Sequence, residues 1–80
     1  MIPYNLKEAL DRYVQHRIPA GGFLEAVLAN DLMEAFGRAD MNNREILFDI
    51  CAYIYNEIPR NCHGSWDVVR SWLKSGEDKP

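Results

Sequence analysis

The chain has 80 residues, 48% of them hydrophobic and 11% aromatic, with a formal net charge of −3. That describes one small domain, too apolar for a disordered chain and too acidic for a general nucleic-acid binder, which needs clustered Lys and Arg. No apolar run approaches the roughly 18 residues of a membrane span, and the Met1-Ile-Pro-Tyr-Asn start lacks a secretory pattern, so the two cysteines are expected as free thiols in a reducing cytoplasm.

A first helix is expected from Asn5. Asn5 and Glu8 have capping-box spacing, and Leu6, Ala9, Leu10, Tyr13 and Val14 recur with helical period. Pro19 and Gly21-Gly22 stop it and turn the chain. Were residues 22–39 one helix, Asp31 would fall in the middle of the apolar stripe of Leu24, Val27, Leu28 and Leu32. A break at Asn30-Asp31 removes the conflict. It gives a second helix over 22–29 and a third over 32–39, capped by Asp31 with Glu34 three residues on, and with Leu32, Ala35, Phe36 and Ala39 inward.

Asn42, with Glu45 at the third position, predicts a fourth and longest helix over 43–58. Ile46, Leu47, Ile50, Cys51, Ile54 and Ile58 form one broad apolar face, widened by Phe48 and Tyr55. The polar ridge is narrow: Glu45, Asp49, Ala52 and Asn56. A helix apolar over so much of its circumference belongs at the centre. Pro59 ends it, and 60–64 form a loop. Ser65 caps a last helix carrying Trp66, Val69, Trp72 and Leu73, which Gly76 stops. No run alternates with period two. The expectation is therefore all-α: a compact single-domain bundle of about five short helices over 1–76, with a disordered tail at 77–80.

Few residues carry the pattern of a chemical site. Cys51, Cys62, His63 and His16 lack metal-ligand spacing, and Cys51 reads as a small buried hydrophobe, so no metal or cofactor is expected. Cys62 beside His63 is a superficial thiol–imidazole pair, but neighbours in sequence seldom face each other and no orienting group or oxyanion motif accompanies them. Gly21-Gly22 follows no strand and precedes no Lys-Ser/Thr, so it reads as a tight turn that lets the first two helices approach. Helix–corner–helix units raise DNA binding, yet Glu34, Glu45 and Asp49 would face phosphates. Only the last helix, through Arg70 and Lys74, is mildly basic. Tyr53 falls off the main stripe of its helix and Trp72 lies towards the edge of its own; exposed aromatics at such positions often anchor interfaces, but a core wide enough to take both is the favoured reading.

Charge is unevenly distributed. Residues 18–59 hold seven acids (Glu25, Asp31, Glu34, Asp40, Glu45, Asp49, Glu57) against Arg38 and Arg44. The ordinary reading is a set of solvated helix faces; the sharper one is an acidic face aimed at a basic partner.

Ile18-Pro-Ala-Gly-Gly-Phe-Leu-Glu-Ala-Val-Leu-Ala-Asn-Asp-Leu32, Arg38-Ala-Asp40, Tyr53-Ile-Tyr-Asn-Glu-Ile-Pro59, Cys62-His-Gly-Ser65 and Trp72-Leu73 together resemble a group of short uncharacterised proteins encoded by bacteriophages and prophages. The resemblance spans about residues 9–73. It implies a cytoplasmic protein made in a bacterial host and carries over no catalytic residue. Many phage accessory proteins of this size are non-enzymatic binders that block host machinery, including inhibitors of CRISPR interference.

The expectation that follows is a non-enzymatic, anti-CRISPR-like antagonist of a host defence or regulatory complex. Its partner is a host protein or protein–nucleic acid complex with a basic groove, met through Glu25, Glu34, Asp40, Glu45, Asp49 and Tyr53. Neither direct nucleic-acid binding nor membrane association is expected. The alternatives are a small DNA-binding regulator using the last helix, and a homo-oligomeric phage structural or assembly factor.

Overall fold

The computed structural model describes residues 2–77, and among them the chain is all-α. Six α-helices follow in order: α1 (Tyr4–His16), α2 (Gly22–Leu28), α3 (Leu32–Arg38), α4 (Met41–Glu45), α5 (Leu47–Glu57) and α6 (Trp66–Glu77), with a 3-10 turn at Arg60–Cys62 before α6. Of the tail expected at 77–80, Glu77 closes α6 and the remainder lies outside the described residues.

The helix boundaries follow from local hydrogen bonding. α1 begins at Pro3, whose carbonyl accepts from the amides of Leu6 and Lys7, both at 3.1 Å. Asn5 therefore lies inside the first turn and is not the cap. The helix stops before Pro19 because Arg17 adopts a left-handed backbone with φ 55°. A non-glycine residue pays for that conformation, and here tertiary contacts offset the cost. The Arg17 guanidinium lies 4.0 Å from the Trp72 ring centroid, and its Nε donates to Ser75 Oγ at 2.7 Å.

The corner at Asn30-Asp31 is present. Asn30 is left-handed with φ 60°, and the Asp31 amide reaches back to the Ala26 carbonyl at 2.8 Å, a Schellman closure of α2. Asp31 then caps α3, its Oδ1 accepting from the Glu34 amide at 3.3 Å. Its second oxygen accepts from Trp66 Nε1 at 2.8 Å, so one carboxylate ties the corner to α6. At Gly21 the backbone needs glycine (φ 93°). The close approach at Gly22 is to the Arg38 side chain of α3, not to α1.

The expected helix over 43–58 is two helices. The cap is Asp40, whose Oδ1 accepts from the Asn43 amide at 2.7 Å, and not Asn42. Helix α4 thus starts two residues early. A break at Ile46 (φ −108°, ψ 13°) resets the phase, and the consecutive Ile46 and Leu47 both pack on the core. Ile58 turns extended before Pro59. Ser65 caps α6 as expected, its Oγ accepting from the Val68 amide at 3.1 Å, but Gly76 does not stop that helix. Among the described residues the longest helix is α1, with 13 residues.

The central element is α2. Ala26, Val27, Leu28 and Ala29 are consecutive and all buried, and α2 touches α3, α5 and α6. Around it lie Leu10 and Tyr13 of α1, Ile50 and Ile54 of α5, Cys62, and Val69 of α6. A short helix can be buried all round when its residues are small, and two of those four are alanines. The consequence for α5 is a one-sided role. Phe48 and Tyr55, expected to widen its inward face, stand 81% and 79% exposed. Leu32 and Phe36 of α3, also expected inside, are exposed, while Ala35 and Ala39 of the same stripe are buried. Cys51, expected buried, is only partly covered where it packs on the core, while Cys62 is fully enclosed.

Candidate functional site

Two concavities are built on α5. The larger, about 560 Å³, runs between the start of α1 and the polar ridge of α5. Ile2, Ala52 and the tyrosines Tyr4 and Tyr53 give it an apolar body, and Lys7, Asp49, Asn56 and Glu57 edge it. Residues 49, 53 and 56 recur at helical spacing, which brings them to the same groove. The entry of α1 at Pro3 supplies the opposite wall. Lys7 is held near Asp11, 3.7 Å between Nζ and Oδ2, one turn along α1.

The second, about 350 Å³, lies between the α2–α3 corner and α5, with Leu32, Cys51, Tyr55 and His63 among its walls. Burial pushes the Cys51 thiol above its ordinary range, which disfavours the thiolate needed for nucleophilic chemistry. Burial raises the Cys62 thiol too, opposed in part by the Arg17 charge. Cys62 and His63 are turned to different tasks. Cys62 Sγ sits 3.7 Å from Asn61 Oδ1 inside the core, and His63 Nε2 lies 3.3 Å from the Ile58 carbonyl. No three His, Cys, Asp or Glu gather around one point among the described residues, and no helix there is long and apolar enough to cross a membrane.

The six residues singled out from the sequence fall into different situations. Asp49 and Tyr53 share the larger groove. Glu25 accepts from the Gly21 amide at 3.1 Å, closing the first turn of α2. Glu34 pairs with Arg38, Oε1 to Nε 2.7 Å, on the surface of α3. Asp40 serves as the α4 cap, and Glu45 is exposed at the end of that helix. Trp72 is no surface anchor: its Nε1 donates to the Tyr13 carbonyl at 2.8 Å and it stacks beneath Arg17. On α6, Arg70 stands 3.7 Å from Asp67 and 5.7 Å from the Trp66 ring centroid.

Sequence reasoning missed Tyr4, Lys7 and Glu57 as companions of Asp49 and Tyr53. The signal for Glu57 was present, since residues 49, 53 and 57 are successive helical neighbours. For Tyr4 and Lys7 it was not, because only the fold sets the start of α1 against α5. Comparison with protein-family models, with curated proteins and with solved structures finds no match to this chain.

Proposed function

We propose that this chain is a small, non-enzymatic protein-binding module that acts stoichiometrically, and that the α1–α5 groove is its working surface. The observation that carries the reading is the meeting of Tyr4 and Tyr53 with Asp49 and Glu57 in one groove. Aromatic rings beside carboxylates suit the Lys and Arg side chains of a basic protein segment, through cation–π contact and charge-assisted hydrogen bonds. Glu45 and the other acids of residues 18–59 add a field that steers such a partner.

The resemblance to phage and prophage proteins supplies the setting. There the module is an antagonist of a host defence or regulatory complex, in the manner of anti-CRISPR inhibitors, working in the bacterial cytoplasm. Complexes that handle nucleic acid present basic grooves, and the acids of this chain occupy such a path. Capture from host lysate with variants tests the reading. Asp49→Lys with Glu57→Lys should abolish retention of the partner at low salt, whereas Arg70→Glu with Lys74→Glu on α6 should leave it intact. The reverse pattern, with retarded DNA in a gel, would replace this reading with that of a DNA-binding regulator.

A further inference from the structure

The outer face of α5 has a pattern that holding the core does not require. Phe48 and Tyr55 stand seven residues apart on one stripe, both about four-fifths exposed, with the small residues Cys51 and Ala52 between them. Helix α3 continues this surface. Leu32 meets Cys51 and Tyr55 in the smaller pocket, and Met33 and Phe36 extend the patch along α3, 85% and 52% exposed. The Arg44 guanidinium, 5.1 Å from the Phe36 ring centroid, borders it. At about 200 Å² for each fully exposed side chain of this size, Met33, Phe36, Phe48 and Tyr55 leave roughly 600 Å² uncovered. That is at the upper end for a monomer, and most of the roughly 800 Å² each side contributes to a standard interface.

Two features select the occupant. The stripe is self-complementary: two α5 helices crossing antiparallel on a twofold axis at Cys51-Ala52 approach closely in the middle, where the side chains are small. Phe48 of each copy then meets Tyr55 of the other at both ends. Charge agrees. No described carboxylate lines the smaller pocket, Glu34 is neutralised by Arg38, and Arg44 sits against Phe36. Around the smaller pocket and along α3 an identical surface therefore meets no like-charge field, since Asp49 and Glu57 line the groove on the other side of Ala52. We propose that the α3–α5 face is the isologous interface of a homodimer. This interface adjoins the α1–α5 groove at Ala52, which lines both, and does not depend on the reading of that groove.

Sedimentation equilibrium of the purified chain across a broad concentration range tests it. The mass should climb from 9.3 kDa to twice that value. Phe48→Glu with Tyr55→Glu should raise the dissociation constant about thirtyfold or more, the scale of a lost interfacial hot spot. Phe48→Ala, which only truncates an exposed ring, should weaken association in the same direction. Tyr4→Glu, equally exposed but on α1, should leave it unchanged. A short bismaleimide should link two copies through Cys51, and Cys51→Ser should abolish the link, since Cys62 is enclosed. A chain that stays at 9.3 kDa throughout, or a dimer that survives the double Glu substitution, overturns the proposal.

Discussion

Single side chains hold this fold by doing two jobs at once. Asp31 caps α3 with one oxygen and accepts the Trp66 indole with the other. Asp31→Ala removes both, about 1 kcal/mol for the cap and about 1 kcal/mol for the stranded indole N–H, so denaturant melts should show a loss of about 2 kcal/mol. A variant as stable as the parent would mean the corner does not depend on this carboxylate. Tyr13 is the second such residue. It is fully buried and donates to the Cys62 carbonyl at 2.7 Å, while its own carbonyl accepts from Trp72. Burial, with the neighbouring Cys62 and Glu25, raises its phenol far above the ordinary value of 10, and burial raises both thiols above theirs of 9. The folded state then keeps protons that the unfolded chain releases first. The contribution of these three groups is fully present below about pH 8 and is lost as pH rises through the alkaline range. Tyr13→Phe should cost about 1–2 kcal/mol near neutrality and flatten that alkaline decline. Melts of both proteins from pH 7 to 11 check the sign.

At the scale of elements, α5 separates what is buried from what is merely apolar. Ile50, fully buried, should cost about 2–5 kcal/mol as Ile50→Ala, while Phe48→Ala, on the same helix, should change the stability of the monomer by less than about 0.5 kcal/mol. Circular dichroism melts at low protein concentration compare the two directly; equal losses would place Phe48 in the core. The sequence held the periodicity of α5 and its inward Ile50, Ile54 and Ile58, but not the width of the buried face. Helical spacing says which residues share a face, and an apolar arc wider than half the circumference leaves its edges undetermined. The small residues of α2 decided it, because Ala26 and Ala29 let a seven-residue helix sink among its neighbours. Capping signals were legible at Asp31 and Ser65. They misled at Asn5, where the chain enters α1 at Pro3, and at Asn42, where Asp40 is the cap. The stop at Arg17 was not legible, since its left-handed backbone is held by Trp72 and Ser75, more than fifty residues away. The same limit applies to the groove. Asp49, Tyr53 and Glu57 can be read off one helix, but Tyr4 and Lys7 join them only through the fold.

For the molecule as a whole, α5 is read as a divider between two surfaces. One side meets the start of α1 in a groove with acidic and aromatic walls, and the outer side presents a bare apolar stripe. On the reading proposed above, the first takes a basic segment of a partner and the second takes another copy of the chain, so a dimer would present two grooves. Amide chemical-shift mapping of the labelled protein, titrated with an Arg- and Lys-rich peptide at low salt, tests the groove most directly. Saturable shifts should be confined to residues 4–7 and 49–57, and be lost at high salt and in Asp49→Lys with Glu57→Lys. Shifts centred on α6, or none at all, would contradict this reading of the groove.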